Sequence, residues 1–144
     1  MLVSEILRIK GSALYTSPPD APLLDAVKIM AQLDIGSLVV MDHGRMAGLV
    51  TFAEVLRALA DRGGTLGAVR ISAITVRDPL TAAPSIDVME LRRMMLERHA
   101  RYVPVLDGNT LLGVVSFHDV AKAVYEEQTY ENRMLKSYIQ DSPA

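Results

Sequence analysis

The sequence predicts an α/β fold of the α+β kind: two βαββα repeats related by a pseudo-twofold axis, followed by a C-terminal helix. The first observation behind this is an internal repeat. Sliding the chain by 65 positions sets Thr16 on Thr81, Pro19 on Pro84, Met30 on Met95, Val40 on Val105, Asp42 on Asp107, Gly48 on Gly113, Phe52 on Phe117 and Val55 on Val120. About ten identities in roughly 44 gap-free positions mark a duplicated unit. The second observation is a change of period within each copy, from helical spacing of three and four to short β-branched runs. The third is turn chemistry between those runs, Asp42-His-Gly44 in one copy and Asp107-Gly-Asn109 in the other.

Each element follows in order. Thr16 and Thr81 stand in the first short strands, where their β-propensity suits a half-buried position. Asp20 and Ser85 are equivalent and make good helix N-caps, with Pro22 suited to a first turn. The first helix carries Leu24, Val27, Met30, Ala31 and Asp34 in one copy, and Val88, Leu91, Met94, Met95 and Arg98 in the other. Two strands follow, Ser37–Met41 then Met46–Val50, matched by Tyr102–Leu106 then Leu111–Val115. A helix starting at Phe52 or Phe117 closes each unit. Upstream, Val3-Ser-Glu-Ile6 is similar to Ile71-Ser-Ala-Ile74, with a three-residue shift before the threonines. The repeats are assigned to residues 1–62 and 71–125, with 63–70 as linker and 126–144 as C-terminal helix and tail. Tyr130, Met134 and Tyr138 lie four apart on that last helix, a stripe for core or dimer contact, and Gln140 to Ala144 should fray. A unit of under 60 residues buries little core alone, so the two sheets are expected to pack on each other.

Composition excludes several classes of function. The 144 residues are 50% hydrophobic and 22% charged, which places the chain among globular domains. Fifteen Lys and Arg against seventeen Asp and Glu give a net charge of −2, which disfavours a nucleic-acid binder. With no cysteine, disulfides, thiolate metal sites and cysteine nucleophiles are out. Glu5, Arg8 and Lys10 interrupt the first apolar positions, so no signal peptide is readable, and no apolar run reaches the ~18 residues of a membrane span. The chain is expected to be cytoplasmic. The histidines His43, His99 and His118 lack metal-ligand spacing, and Gly63-Gly64 lacks the Lys-Ser/Thr of a phosphate loop, so no catalysis or metal site is expected.

The chemistry concentrates where the third strand of each repeat runs into its second helix. Ser116 stands at such a junction, where unpaired N–H groups and the positive end of the helix dipole favour phosphate. Asp119, one turn on, offers a carboxylate for vicinal hydroxyls. Arg101 reads equally as a phosphate partner or as a solvated surface charge. Ala83 is small enough to let a ring approach the backbone. A helix cap explains the same motifs without any ligand: Thr51-Phe-Ala-Glu54 is a capping box, and Ser116-Phe-His-Asp119 is a shorter version of it.

Gly48-Leu-Val-Thr-Phe-Ala-Glu54 and Gly113-Val-Val-Ser-Phe-His-Asp119, together with Tyr102-Val-Pro-Val-Leu-Asp107, resemble the cystathionine β-synthase (CBS) domain. Two in tandem resemble a CBS pair, or Bateman module, here as a stand-alone protein. The resemblance implies a non-catalytic regulatory module that binds an adenosine compound between the repeats: AMP, ADP, ATP, NAD(H) or S-adenosylmethionine. It also implies a homodimer. In the family the acid contacts ribose and the hydroxyl residue contacts phosphate, while the region of the first strands and the aliphatic positions around the next strand hold the base. Carried over, this names Ser116, Asp119, Arg101, Tyr102, Val103, Pro104, Thr16, Thr81, Ala83, Thr51 and Glu54. The first repeat departs from the pattern, with Glu54 for the usual Asp, Val39 for Pro104 and Gly36 for Arg101, so the site around Ser116 and Asp119 is the stronger one. The alternative is a ligand-free dimerisation module. With no effector domain in the chain, a regulator would act through dimer geometry or a separate effector protein.

Overall fold

The computed structural model describes residues 1–11 and 13–141. The elements are α1 (Val3–Lys10), β1 (Thr16–Ser17), α2 (Leu23–Leu33), β2 (Ser37–Asp42), β3 (Arg45–Thr51), α3 (Phe52–Asp61), a 3-10 turn (Ile71–Ala73), α4 (Val88–Arg98), β4 (Tyr102–Asp107), β5 (Thr110–Ser116) and α5 (Phe117–Asp141). One sheet has the order β1-β2-β3, and a second consists of β4 and β5. Both hairpins are antiparallel and carry an irregularity at the same place, between Val40 and Met41 and between Val105 and Leu106. The mixed α+β architecture is the expected one.

The two copies differ at their first strand. In the first repeat β1 runs parallel to β2, Thr16 facing Val39, and the Val39 N–H donates to the Tyr15 carbonyl at 3.2 Å. In the second repeat the segment makes a single bridge, Ala82 to Val105. The position equivalent to Val39 is Pro104, which has no N–H to donate. One ladder bond is therefore missing, and the strand shrinks to a bridge held by Ala82 N–H to the Pro104 carbonyl (3.0 Å) and Leu106 N–H to the Ala82 carbonyl (2.9 Å).

The helix starts correct the sequence reading. Asp20 and Ser85 lie in turns, and the N-caps are Pro22 and Asp87, two residues later. The Asp87 carboxylate caps α4, accepting from Met89 N–H at 2.8 Å, and segments distant in the chain supply further acceptors: Leu23 N–H donates to the Val69 carbonyl at 2.8 Å, and Val88 N–H to the Met1 carbonyl at 2.9 Å. The buried stripe of α2 accordingly falls on Leu23, Ala26 and Met30, and Leu24 faces solvent. On α4 the expected Val88, Leu91 and Met95 are buried.

Those distant segments are exchanged between the repeats. Val3 and Ile6 of α1 are buried in the core of the second repeat, among Val88, Leu91, Met95 and Val120. Val69 and Ile71 are buried in the core of the first, among Leu23, Ala26, Leu38 and Val50. Between the sheets a third cluster packs Val39 and Leu49 against Leu111, with Met41, Met46 and Tyr102 around it. The closing helix of the second repeat and the expected C-terminal helix are one continuous α5 of 25 residues. Its Tyr130, Met134 and Tyr138 are exposed. The fraying expected of Gln140 to Ala144 is not seen in the backbone at 140 and 141, which is helical; 142–144 lie outside the described residues.

Candidate functional site

A cleft of about 610 Å³ opens where the α2–β2 turn of the first repeat meets the α4–β4 turn of the second. That volume lies in the range of small-molecule sites. Each turn is set by a residue in the left-handed region that ends its helix, Asp34 (φ 53°) and His99 (φ 52°). Ile35 N–H and Ala100 N–H then bond back to the Met30 and Met95 carbonyls, which delivers Gly36-Ser37 and Arg101-Tyr102 to equivalent places at the cleft. Gly11 and residues 13–15, between α1 and β1, and Leu111, Gly113, Val114 and Ser116 of β5 complete the walls.

Gly36 leaves room here for the Tyr102 side chain. A Cβ on it would stand 1.9 Å from Tyr102 Oη, so the tyrosine ring lies directly on the glycine backbone. Tyr102 meets the Phe52 ring edge-on at 6.2 Å, and the Arg101 guanidinium lies 5.3 Å from the Phe52 ring centre. The cation is thus seated at the junction of the repeats by an aromatic face.

Both strand-to-helix motifs close as capping boxes, in different ways. In the first, Thr51 N–H donates to Glu54 Oε1 (3.2 Å), the Thr51 hydroxyl donates to Glu54 Oε2 (3.0 Å), and Thr51 Oγ1 accepts from Ala53 N–H (3.2 Å). Both glutamate oxygens and the hydroxyl proton are consumed by the cap. In the second, Ser116 N–H donates to Asp119 Oδ2 (2.8 Å) and Asp119 N–H donates to Ser116 Oγ (3.0 Å). Lys10 from α1 donates to that same Oδ2 at 2.8 Å and to the Val114 carbonyl at 2.9 Å. Asp119 therefore makes its bonds through Oδ2. Burial pushes its carboxyl up, but the Lys10 ammonium and the Ser116 donors outweigh burial and hold it below the ordinary value of 3.8.

The family model for the CBS domain matches residues 4–61 and 71–126. The chain belongs to the CBS-domain family. The CBS domain-containing protein CBSX3 of Arabidopsis thaliana, described as mitochondrial, is 29% identical over 96% of this chain and 71% of its own length. A protein with CBS domains from Burkholderia ambifaria superposes with a TM-score of 0.82 at 32% identity, covering 89% of this chain and 96% of that one. The CBS domain pair of protein MJ0100, solved with 5′-methylthioadenosine and S-adenosyl-L-methionine, superposes at 0.77 with 25% identity, covering 88% and 98%. This CBS pair is a regulatory module built on the expected fold.

Of the residues the sequence singles out, Ser116, Arg101 and Tyr102 line the cleft of this CBS pair, and Asp119 is tied to its wall through Lys10. Val103 and Pro104 are buried in β4, facing Val115 and Val114. Thr16, Thr81, Ala83, Thr51 and Glu54 are not among its walls. Leu7, Lys10, Tyr15, Asp34 and His118 are, and the sequence reading passes over them as site residues. Val3, Ile6 and Lys10 at spacings of three and four were the available signal for α1, a short amphipathic helix with Lys10 in its last turn. Among the described residues no helix is long and apolar enough to cross a membrane.

Proposed function

We propose that this CBS pair is a non-catalytic sensor whose cleft binds an adenosine-containing ligand, with AMP, ADP, ATP and NAD(H) as candidates. The observation that carries the reading is the union, in one cleft between the repeats, of a hydroxyl at a helix start (Ser116), a cation (Arg101) and an aromatic ring (Tyr102), with the Asp119 carboxylate bonded to the lining residues Ser116 and Lys10. Adenosine compounds in the CBS pair of MJ0100 support it. In this reading Asp119 accepts from the ribose hydroxyls, Ser116 and the N–H groups at the start of α5 meet phosphate, and Arg101 offsets its charge. Thr51 and Glu54 serve as a helix cap, since their polar atoms are already paired.

A ligand bridging the two turns would favour one arrangement of the repeats, and only differential affinity for two arrangements gives a signal. Its output is change in dimer geometry or contact with a separate effector protein, in the cytoplasm. The homodimer forms along α5, whose exposed Tyr130, Met134 and Leu135 have no cover in the single chain. Glu126, Glu127 and Glu131 precede Arg133 and Lys136, so an antiparallel pair sets acidic against basic halves. Sedimentation should give twice the mass of the chain, and a monomer at all concentrations would remove this assembly.

The test of the ligand is calorimetric titration of the full chain with AMP, ADP, ATP and NAD(H). Asp119→Asn keeps an acceptor for the Ser116 N–H while removing the charge. It should weaken binding at least about tenfold with the fold retained. Glu54→Ala should leave affinity unchanged and cost about 1 kcal/mol of stability. No binding of any of the four by folded protein would favour the ligand-free dimerisation module instead.

A further inference from the structure

One oxygen of the Asp119 carboxylate, Oδ2, is already occupied, by Lys10 and by the Ser116 N–H. Lys10 Nζ lies 2.8 Å from Asp119 Oδ2, with the lysine side chain 40% exposed and the aspartate 17%. The second repeat does not supply this cation itself. It arrives on α1, whose Val3 and Ile6 are sealed in that repeat's core and whose Leu7 lies where a Cβ on Gly113 would meet it at 2.9 Å. The ammonium is therefore fixed at the cleft wall by packing a turn or more away, and Lys10 itself lines the cleft.

Vicinal hydroxyls that take both oxygens of Asp119 must displace that ammonium from Oδ2. Displaced, it keeps the Val114 carbonyl but loses its counter-ion in a site partly shielded from water. An anionic group on the ligand restores the balance. A neutral nucleoside does not, and a sulfonium adds a like charge. We propose that Lys10 is the specificity-determining residue of the cleft: an internal occupant of Asp119 that makes binding an exchange and selects anionic, phosphorylated adenosine compounds over neutral or sulfonium ones. This deepens, and rests on, the adenosine reading of the cleft.

Calorimetric titration of the full chain with AMP, adenosine and S-adenosylmethionine tests it, in the wild type and in Lys10→Met, which keeps the aliphatic stem without the charge. The wild type should bind AMP at least about tenfold more tightly than adenosine and bind S-adenosylmethionine most weakly. In Lys10→Met adenosine should gain about threefold or more, and the ratio of AMP to adenosine affinity should fall about tenfold. Lys10→Arg, which keeps the charge, should keep the preference. A wild type that binds adenosine or S-adenosylmethionine as tightly as AMP overturns the proposal whatever the variants do. So does an unchanged ratio in folded Lys10→Met, and both results leave the adenosine reading standing. Binding of none of the three by wild type or variants overturns this inference, and it removes the adenosine reading too only if ADP, ATP and NAD(H) also fail to bind.

Discussion

Asp119 does two things with one oxygen: it caps α5 and, by pairing with Lys10, ties α1 to the second repeat. The sequence made the first of these visible, because Ser116 and Asp119 stand three apart at the mouth of a helix. Lys10 could not be read there, since it lies more than a hundred residues away and only the fold brings it in. Coulombic coupling at this site makes stability depend on pH with a definite sign. The carboxyl is held below its ordinary value of 3.8, so its contribution is complete above the unfolded pKa and is lost as pH falls through the folded one. The stability difference between wild type and Asp119→Asn should be constant from neutrality to about pH 5 and shrink below about pH 4. Denaturant melts at pH 7, 5 and 3 measure it; a difference that grows on acidification would mean that Asp119 is not held ionised by its partners.

The helices and hairpins were legible because their periods are local; the cap of α2 was not, because its first N–H finds its acceptor in the distant Val69 carbonyl. Asp20 satisfies the local rules for a cap and loses to a tertiary hydrogen bond, whereas Ser85 loses to Asp87, an equally local cap whose carboxylate accepts from Met89 N–H. The shortened first strand of the second repeat was likewise written in Pro104, though the missing N–H matters only once its neighbour is known. The paired glycines of the two motifs show the same dependence. A Cβ at Gly48 would stand 2.2 Å from the Val76 carbonyl oxygen, where Leu49 and Val76 exchange two 2.9 Å backbone bonds. At Gly113 the neighbour is the end of the Leu7 side chain, at 2.9 Å. Backbone cannot turn aside and a leucine rotamer can. Gly48→Ala should therefore cost about 1–3 kcal/mol and Gly113→Ala less than about 1 kcal/mol. Thermal melts of the two variants compare them directly, and equal losses would mean that the Val76 bridge yields as easily as a side chain.

Exchange of α1 and of the Val69–Ile71 segment ties the molecule into one cooperative unit although its sequence divides into two. Each repeat on its own has a core of about the minimum size, in a range where folding alone is marginal. The first repeat, cut at the sequence boundary, would lose Val69 and Ile71 from its core and would carry Val3 and Ile6 with nowhere to bury them. It would also lose the carbonyl that caps α2 and the Val76 partner of Leu49. The seam between the sheets, Val39 and Leu49 against Leu111, would be left open to water as well. This architecture would suit the proposed sensor, because a ligand at the junction of the two α–β turns would act on elements that already share their cores. A fragment of residues 1–62 should consequently show no cooperative thermal transition by circular dichroism, while the full chain melts in a single one. Cooperative melting of the fragment would show that the exchanged segments are dispensable to the first repeat. Communication between the repeats would then rest on the sheet seam alone.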